Sequence, residues 1–139
     1  MRRIIQKDTT GCGIACIAML TKQSYLKIKK SLLEIPGFTK DDYFYTDASD
    51  LRTLASKHKV VLAKRMRKFT SWSNIPDKSL LAIKYKKGKN KQESTWHWVV
   101  FNRTNKGEYI VDPNKTVKTN KRTDFGRIIV KWHLPVVDV

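Results

Sequence analysis

Residues 9–20 read TTGCGIACIAML, and this segment sets the architecture of the N-terminal half. A turn-like stretch of threonine and glycine leads into Cys12, and every residue from Ile14 to Leu20 is apolar. An apolar run rich in alanine predicts a buried helix that starts near Cys12. A helix N-terminus carries unpaired N–H groups and positive partial charge, which stabilise a thiolate. Cys12, flanked by two glycines that let a substrate backbone approach, is therefore a candidate nucleophile.

Cys16 lies one helical turn after Cys12, inside the apolar run. This position predicts a small buried hydrophobic residue rather than a chemical role. We expect no disulfide between the two cysteines, because bridging residues four apart on one helix strains the bond.

Two more helices and a set of strands follow from the hydrophobic pattern. Ser24 is a candidate N-cap for a second helix, which Pro36-Gly37 ends and whose apolar side holds Leu26, Ile28, Leu32, Leu33 and Ile35. A third helix opens at residues 46–50 and ends near His58, with Leu51, Leu54 and Ala55 on one face. Predicted strands cover residues 60–62, 79–85, 96–102, 108–112 and 125–134.

The order of these elements indicates the fold class. Helices come first and strands second, which favours an α+β fold with a helical half packed on a C-terminal antiparallel sheet. The chain of 139 residues fits one domain, over residues 1–139, that can bury a core.

Composition excludes several classes of protein. No apolar run approaches the ~18–20 residues of a membrane span, and the basic start lacks the apolar stretch of a signal peptide. Two cysteines do not make a disulfide framework. The sequence thus argues against a membrane protein, a small disulfide scaffold and a multidomain machine, and we expect a cytoplasmic domain in a reducing compartment.

The chain is strongly basic, with 29 Lys+Arg against 12 Asp+Glu and a formal net charge of +17. One interpretation is a polyanionic partner, either nucleic acid or an anionic surface. The other is a face of solvated lysines, since lysine is the weaker choice for bidentate phosphate contacts. The basic residues cluster at Lys27, Lys29 and Lys30; Lys84, Lys86, Lys87, Lys89 and Lys91; and Lys115, Lys118, Lys121 and Arg122.

His97 is the histidine best placed for chemistry. It lies in a predicted strand between two tryptophans, and Asp112 ends the strand that follows across a hairpin. This arrangement can bring the Nδ1–H of His97 against the Asp112 carboxylate, the orienting pair of a Cys-His-Asp triad. Two alternatives remain open on these grounds: a structural histidine among aromatic residues, and a turn aspartate before Pro113.

Other kinds of site have weaker support. Two cysteines four apart with one distant histidine do not match a zinc-site spacing. The sequence holds no glycine-rich phosphate loop and no Gly-x-Ser-x-Gly elbow. We therefore predict neither a metal nor a cofactor.

Three sequence blocks together resemble the bacteriocin-processing peptidase family. These papain-like cysteine peptidases cleave leader peptides after a double glycine, usually as the N-terminal domain of an export ABC transporter. The resemblance spans Gln6 to Pro113 and rests on Gln6-x5-Cys12-Gly13-x-Ala15-Cys16-x2-Met19, His97-Trp98-Val99-Val100 and Val111-Asp112-Pro113. It implies a papain-like fold, with Cys12 as nucleophile, His97 as base and acid, Asp112 as orienting residue and Gln6 as oxyanion-hole donor.

The sequence also departs from that family. Gly11 stands where the family usually has aspartate, and no transporter follows before Val139, so we expect a free-standing peptidase domain acting on a leader or small peptide. An alternative on the same scaffold is a basic toxin or effector that binds or cleaves RNA, with an immunity or other partner protein. A third is an inactive binding domain. The RNA alternative relies on exposed aromatic residues that could stack on bases, namely Tyr43, Phe44, Trp72, Trp96 and Trp98.

Overall fold

The fold is taken from a computed structural model that describes residues 1–38, 44–90 and 93–138. Three helices come first along the chain: α1 (Cys12–Thr21), α2 (Tyr25–Leu33) and α3 (Ala48–Lys57). The strands that follow are β1 (Val61–Leu62), β2 (Arg67–Lys68), β3 (Lys78–Lys86), β4 (Thr95–Thr104), β5 (Gly107–Val111) and β6 (Val130–Asp138). Short 3-10 helices cover Trp72–Asn74 and Phe125–Arg127. This order confirms the predicted α+β class.

Helix α1 is the centre of the helical half. Every residue from Cys12 to Leu20 is buried, as the apolar run predicts, and the helix ends at Lys22 in the left-handed conformation with φ 58°. Gly13 is needed because a Cβ there would collide with Oγ1 of Thr46 and lie 3.1 Å from Cδ2 of Leu51. The glycine lets the segment that opens α3 pack directly against the first turn of α1.

Side-chain caps fix where the other two helices begin. The predicted N-cap Ser24 accepts a hydrogen bond from the backbone N–H of Lys27 at 3.2 Å. Asp47 and Asp50 form a reciprocal capping box at the start of α3. Leu51, Leu54 and Ala55 are buried on one face of α3, as predicted.

The prediction for Leu26 is wrong. Helix α2 buries a single stripe made of Tyr25, Ile28 and Leu32, and Leu26 is 60% exposed. Leu26 is two positions from Ile28 along the helix, a spacing that points it away from that stripe.

This contrast predicts unequal stability effects within one helix. Leu32→Ala removes a side chain that is 0% exposed and should lower the free energy of unfolding by about 2–5 kcal/mol. The matched control Leu26→Ala should change it by less than about 0.5 kcal/mol. Urea denaturation followed by circular dichroism measures both. Equal losses would contradict the assigned orientation of α2.

The sheet is antiparallel and has the strand order β1-β6-β3-β4-β5, with β2 also paired to β6. One core cluster joins the helices to the inner face of the sheet, including Leu80, Trp98 and Leu134. A second, smaller cluster covers the other face, with Val99 and Phe101 at its centre. The sheet is therefore buried on both faces along β3 and β4, where residues 80–83 and 98–101 are all apolar and buried.

Two features of the sheet differ from prediction. The last strand begins at Val130 rather than at residue 125, because Phe125–Arg127 turns as a 3-10 helix. Strand β2 was not predicted, since two basic residues carry no apolar alternation and are placed only by pairing with His133 and Trp132. No helix in the described ranges is long and apolar enough to cross a membrane.

Candidate active site

Cys12 occupies the first position of α1, as the sequence predicts. Gly11 is the N-cap, and no side chain caps the first N–H groups of the helix. A Cβ at position 11 would collide with the Tyr25 hydroxyl, which donates to Oδ2 of Asp8 at 2.7 Å. The space that a larger residue would need before Cys12 is thus taken by Tyr25.

Both cysteine sulfurs contact the backbone of Trp98. The pairing between β4 and β5 begins at Val100 and Val111, so Trp98 lies beyond the end of β5. Its N–H donates to Sγ of Cys12 at 3.5 Å, and its carbonyl accepts from Sγ of Cys16 at 3.4 Å. Helix α1 thereby covers the edge of β4 and places the Cys12 sulfur beside the residue that follows His97.

His97 and Asp112 meet because of strand register. Phe101 pairs with Ile110, so these residues share a face of the sheet. His97 is four residues before Phe101 and Asp112 two after Ile110, which puts both on that face. Nε2 of His97 lies 2.7 Å from Oδ1 of Asp112. The predicted contact between these side chains is present, and Cys12 is near enough to contribute to the raised pKa of His97.

The ring nitrogen predicted for this contact was wrong. Asp112 binds Nε2 of His97, not Nδ1. Nε2 is the ring nitrogen farther from the backbone, so it can reach Asp112 beyond the end of the neighbouring strand. Because Asp112 occupies Nε2, a proton exchange between His97 and the Cys12 thiol would use Nδ1.

Electrostatics favour a charged pair at this point. Burial opposes protonation of His97, but hydrogen bonds and negative charge from Asp112 and Cys12 outweigh it and raise the pKa of His97 to about 9. Burial likewise opposes ionisation of Asp112. Its contacts with His97, the Asn114 N–H and Arg122 outweigh burial and lower the pKa of Asp112 below its ordinary value. The site thus favours an imidazolium facing a carboxylate.

Asp112 is fully buried, and hydrogen bonds bind both of its carboxylate oxygens and its backbone carbonyl. Oδ1 also accepts from the backbone N–H of Asn114 at 2.9 Å, which closes the predicted turn at Pro113. Oδ2 accepts from Nη1 of Arg122 at 2.8 Å, and the Asp112 carbonyl accepts from Nε of Arg3 at 2.7 Å. Asp112 is thus both the turn residue beside Pro113 and the hydrogen-bond partner of His97, so the two interpretations are compatible.

The two arginines were missed as contributors to the site. The sequence marks Arg122 only as part of a basic cluster, and it gives no signal for Arg3. The contact of Arg122 arises because its loop folds back to pair with Ile110, in hydrogen bonds of 2.9 and 2.7 Å. No local sequence pattern marks such a long-range pairing.

Gln6 lies in the loop that leads to Cys12. Its backbone N–H donates to the carbonyl of Pro113 at 2.9 Å, which ties this loop to the segment carrying Asp112. Its side-chain Nε2 donates to the carbonyls of Asp8 and Thr9 at 3.0 and 2.9 Å. Its Oε1 is buried and has no hydrogen-bond partner among the described residues. The Gln6 side-chain amide thus lies beside the turn that precedes Cys12, and its N–H groups bind backbone carbonyls of that turn.

The two thiols should differ sharply in reactivity. Cys16 is fully buried, and burial, followed by the nearby Cys12 and Asp112 charges, raises the pKa of its thiol well above the ordinary value. Iodoacetamide at pH 6 should therefore alkylate Cys12 in preference to Cys16, because only the thiolate reacts. Peptide mapping by mass spectrometry reads out the labelled position. Preferential labelling of Cys16 would contradict the assignment.

Most of the aromatic residues proposed to stack on bases are not free to do so. Trp98 is 1% exposed, and its Nε1 donates to the carbonyl of Thr46 at 2.8 Å. Phe44 is also buried, whereas Trp72 and Trp96 are half-buried and pack against other aromatic rings. Tyr43 and Lys91 lie outside the described residues. The expectation of exposed stacking residues is wrong for Phe44 and Trp98, because both belong to the core.

Comparison with known proteins gives a family match. The family model described as the peptidase C39 family matches residues 2–133, which cover nearly the whole chain. A search of curated proteins finds no match. The match includes Gln6, Cys12, His97 and Asp112, and the helices and antiparallel sheet agree with a papain-like architecture. The chain therefore belongs to the peptidase C39 family and is a cysteine peptidase, a hydrolase.

Proposed function

We propose that this peptidase cleaves a leader or small peptide after a double glycine, using Cys12, His97 and Asp112 as its catalytic triad. The observation that carries the proposal is the 2.7 Å bond between His97 and Asp112 next to a cysteine at a helix start. The double-glycine substrate comes from the resemblance of the three sequence blocks. A reducing compartment such as the cytoplasm suits this chemistry, because both thiols must stay reduced.

The chemistry follows from the placement of the three side chains. His97 takes the proton of Cys12, and the thiolate attacks the carbonyl carbon of the scissile bond. The C–N bond then breaks as His97 gives that proton to the leaving amine, which leaves a thioester on Cys12. A water molecule, deprotonated by His97, attacks the thioester, and the returned proton restores the thiol. Asp112 stays ionised throughout and holds the imidazole in place.

Gln6 is proposed to stabilise the tetrahedral oxyanion together with the backbone N–H of Cys12. Two donors aimed at a developing charge are the usual arrangement for this step. In the substrate-free site the Gln6 amide donates to the carbonyls of Asp8 and Thr9. Binding of substrate must therefore exchange one of these bonds for a bond to the oxyanion.

Gln6→Ala tests the oxyanion role. The loss of one donor should lower kcat by about 10²–10³-fold, with little change in KM. Gln23→Ala is a matched control, since Gln23 lies beyond the opposite end of α1, where its amide contacts Thr21. Steady-state kinetics and a thermal melt distinguish the roles. A variant that unfolds, or one that keeps full kcat, would show that Gln6 only supports the loop.

A peptide assay tests the substrate class. We would incubate the protein with a peptide that contains one Gly-Gly pair and with a matched peptide in which Ala-Ala replaces it. Mass spectrometry should find a single cut after the second glycine of the first peptide only. Cleavage of both peptides at the same rate would contradict the double-glycine preference and leave the peptidase activity standing. Selective cleavage of an RNA instead would favour the effector alternative.

A further inference from the structure

Arg122 binds the Asp112 oxygen that faces away from His97. Its Nη1 lies 2.8 Å from Oδ2 of Asp112, whereas Oδ1 lies 2.7 Å from Nε2 of His97. Each carboxylate oxygen thus has its own charged partner, in a side chain that is fully buried. A buried carboxylate with both oxygens bound cannot rotate without breaking a charge-assisted hydrogen bond.

Arg122 is itself fixed from two directions. Its Nε and Nη2 both donate to Asp124, at 3.0 Å each, in a bidentate pair. Its backbone pairs with Ile110, two residues before Asp112, which directly follows the end of β5. In an antiparallel pair, residues i and j±2 on one face are diagonal neighbours within reach of long side chains. The backbone therefore aims Arg122 at Asp112, and Asp124 restrains its guanidinium.

We propose that Arg122 is a positioning residue of the candidate triad, which binds Oδ2 of Asp112 so that Oδ1 keeps the His97 imidazole on Cys12. This inference rests on the proposed function, since it acts through the proposed triad. Arg122 needs no contact with substrate for this role. The Arg122 side chain is only 14% exposed and its guanidinium is bound by two carboxylates, so it is not an open site for a polyanion.

The reactivity of Cys12 gives a readout that needs no substrate. At pH 6 an ordinary thiol is protonated, so fast alkylation there requires an imidazolium that stabilises the thiolate. At pH 10 a thiol is ionised without such help. The ratio of the iodoacetamide rate constants at pH 6 and pH 10 therefore reports the His97 contact, whereas a general loosening of the structure changes both rates together.

The experiment compares this ratio in three variants with the wild type. Arg122→Met should lower the ratio about tenfold, as expected for the loss of one charge-assisted hydrogen bond. Arg122→Lys should restore part of it, because lysine keeps the charge without the forked geometry. Arg65→Gln, which removes an exposed arginine, is the matched control and should leave it unchanged. An unchanged ratio in Arg122→Met would overturn the proposal.

Two further variants keep the test decisive. If Arg122→Met does not fold, Asp124→Asn replaces it. Asp124 is 41% exposed, and it binds Nε and Nη2 of Arg122 rather than the Nη1 that contacts Asp112. This variant should lower the ratio in the same direction, and no change would then overturn the proposal. Asp112→Asn separates the two levels of the argument. If it lowers the ratio and Arg122→Met does not, only the role of Arg122 fails; if neither lowers it, the proposed triad fails as well.

Discussion

Replacement of Cys12 with alanine is expected to lower the rate of peptide cleavage by about 10⁶-fold, the loss seen when a triad nucleophile is removed. His97→Ala should cost nearly as much, because the thiol then has no partner for its proton. The double variant should lose little more than either single variant, since members of a triad act as one unit. Initial rates on the Gly-Gly peptide, measured at enzyme concentrations high enough to detect residual cleavage, give all three values.

Cys16→Ala is the control for this series. It removes the other thiol of the same helix, four residues along, whose role is a hydrogen bond to the Trp98 carbonyl. We expect this variant to keep most of its activity, with a lower melting temperature. Full activity in Cys12→Ala, or additive losses in the double variant, would show that Cys12 and His97 do not act as one catalytic unit.

Asp112→Asn is expected to lower kcat by about 10⁴-fold while the protein stays folded. An asparagine amide can present its nitrogen to His97 and so stabilise the wrong tautomer of the ring. It also removes the negative charge that helps to raise the pKa of His97 to about 9. The wild-type rate should therefore fall above about pH 9, and this basic limb should move to lower pH in the variant.

A pH series of kcat/KM with both proteins measures the shift. Asp77→Asn is a suitable control, because Asp77 is exposed and pairs with Arg103 away from the site. A basic limb that stays in place after Asp112→Asn would show that another group sets it.

The same two residues link folding to pH with opposite signs. The pKa of His97 is raised from 6.5 to about 9 in the folded protein, so its stabilising contribution is complete below about pH 6.5 and is lost as the pH rises through about 9. The pKa of Asp112 is lowered from 3.8, so its contribution is present above about pH 3.8 and is lost as the pH falls through the folded value. Between these limits the pair stabilises the fold.

The helices could be predicted because their signals are local. A run of apolar residues, an N-cap serine and a one-sided apolar spacing each depend on neighbours within one or two turns. Leu26 is apolar, but it does not share a stripe with Ile28 and Leu32, so apolar character alone does not predict its burial. The two-residue strand β2 carries no pattern of its own and exists only through its partner β6.

The candidate site could be predicted only in part. Cys12 follows from the helix start, and the contact of His97 with Asp112 follows from a short hairpin with regular register. The hydrogen bond from Arg122 to Asp112 depends on a loop that returns to pair with Ile110. No short stretch of sequence predicts that pairing. Charge alone suggested a polyanion contact for this arginine, but its position in the fold gives it two carboxylate partners.

The spread of the site along the chain bears on its biosynthesis. Cys12 is made early, whereas Asp112 comes 100 residues later (112 − 12) and Arg122 later still. At roughly 5–20 residues per second, a ribosome needs about 5–20 seconds to add that stretch. Helix α1 can form well before then, but its thiol has neither His97 nor the buried carboxylate to work with. A nascent chain therefore carries the Cys12 thiol without its proposed partners until synthesis has passed Arg122. On the proposed mechanism, it can cleave peptides only after that point.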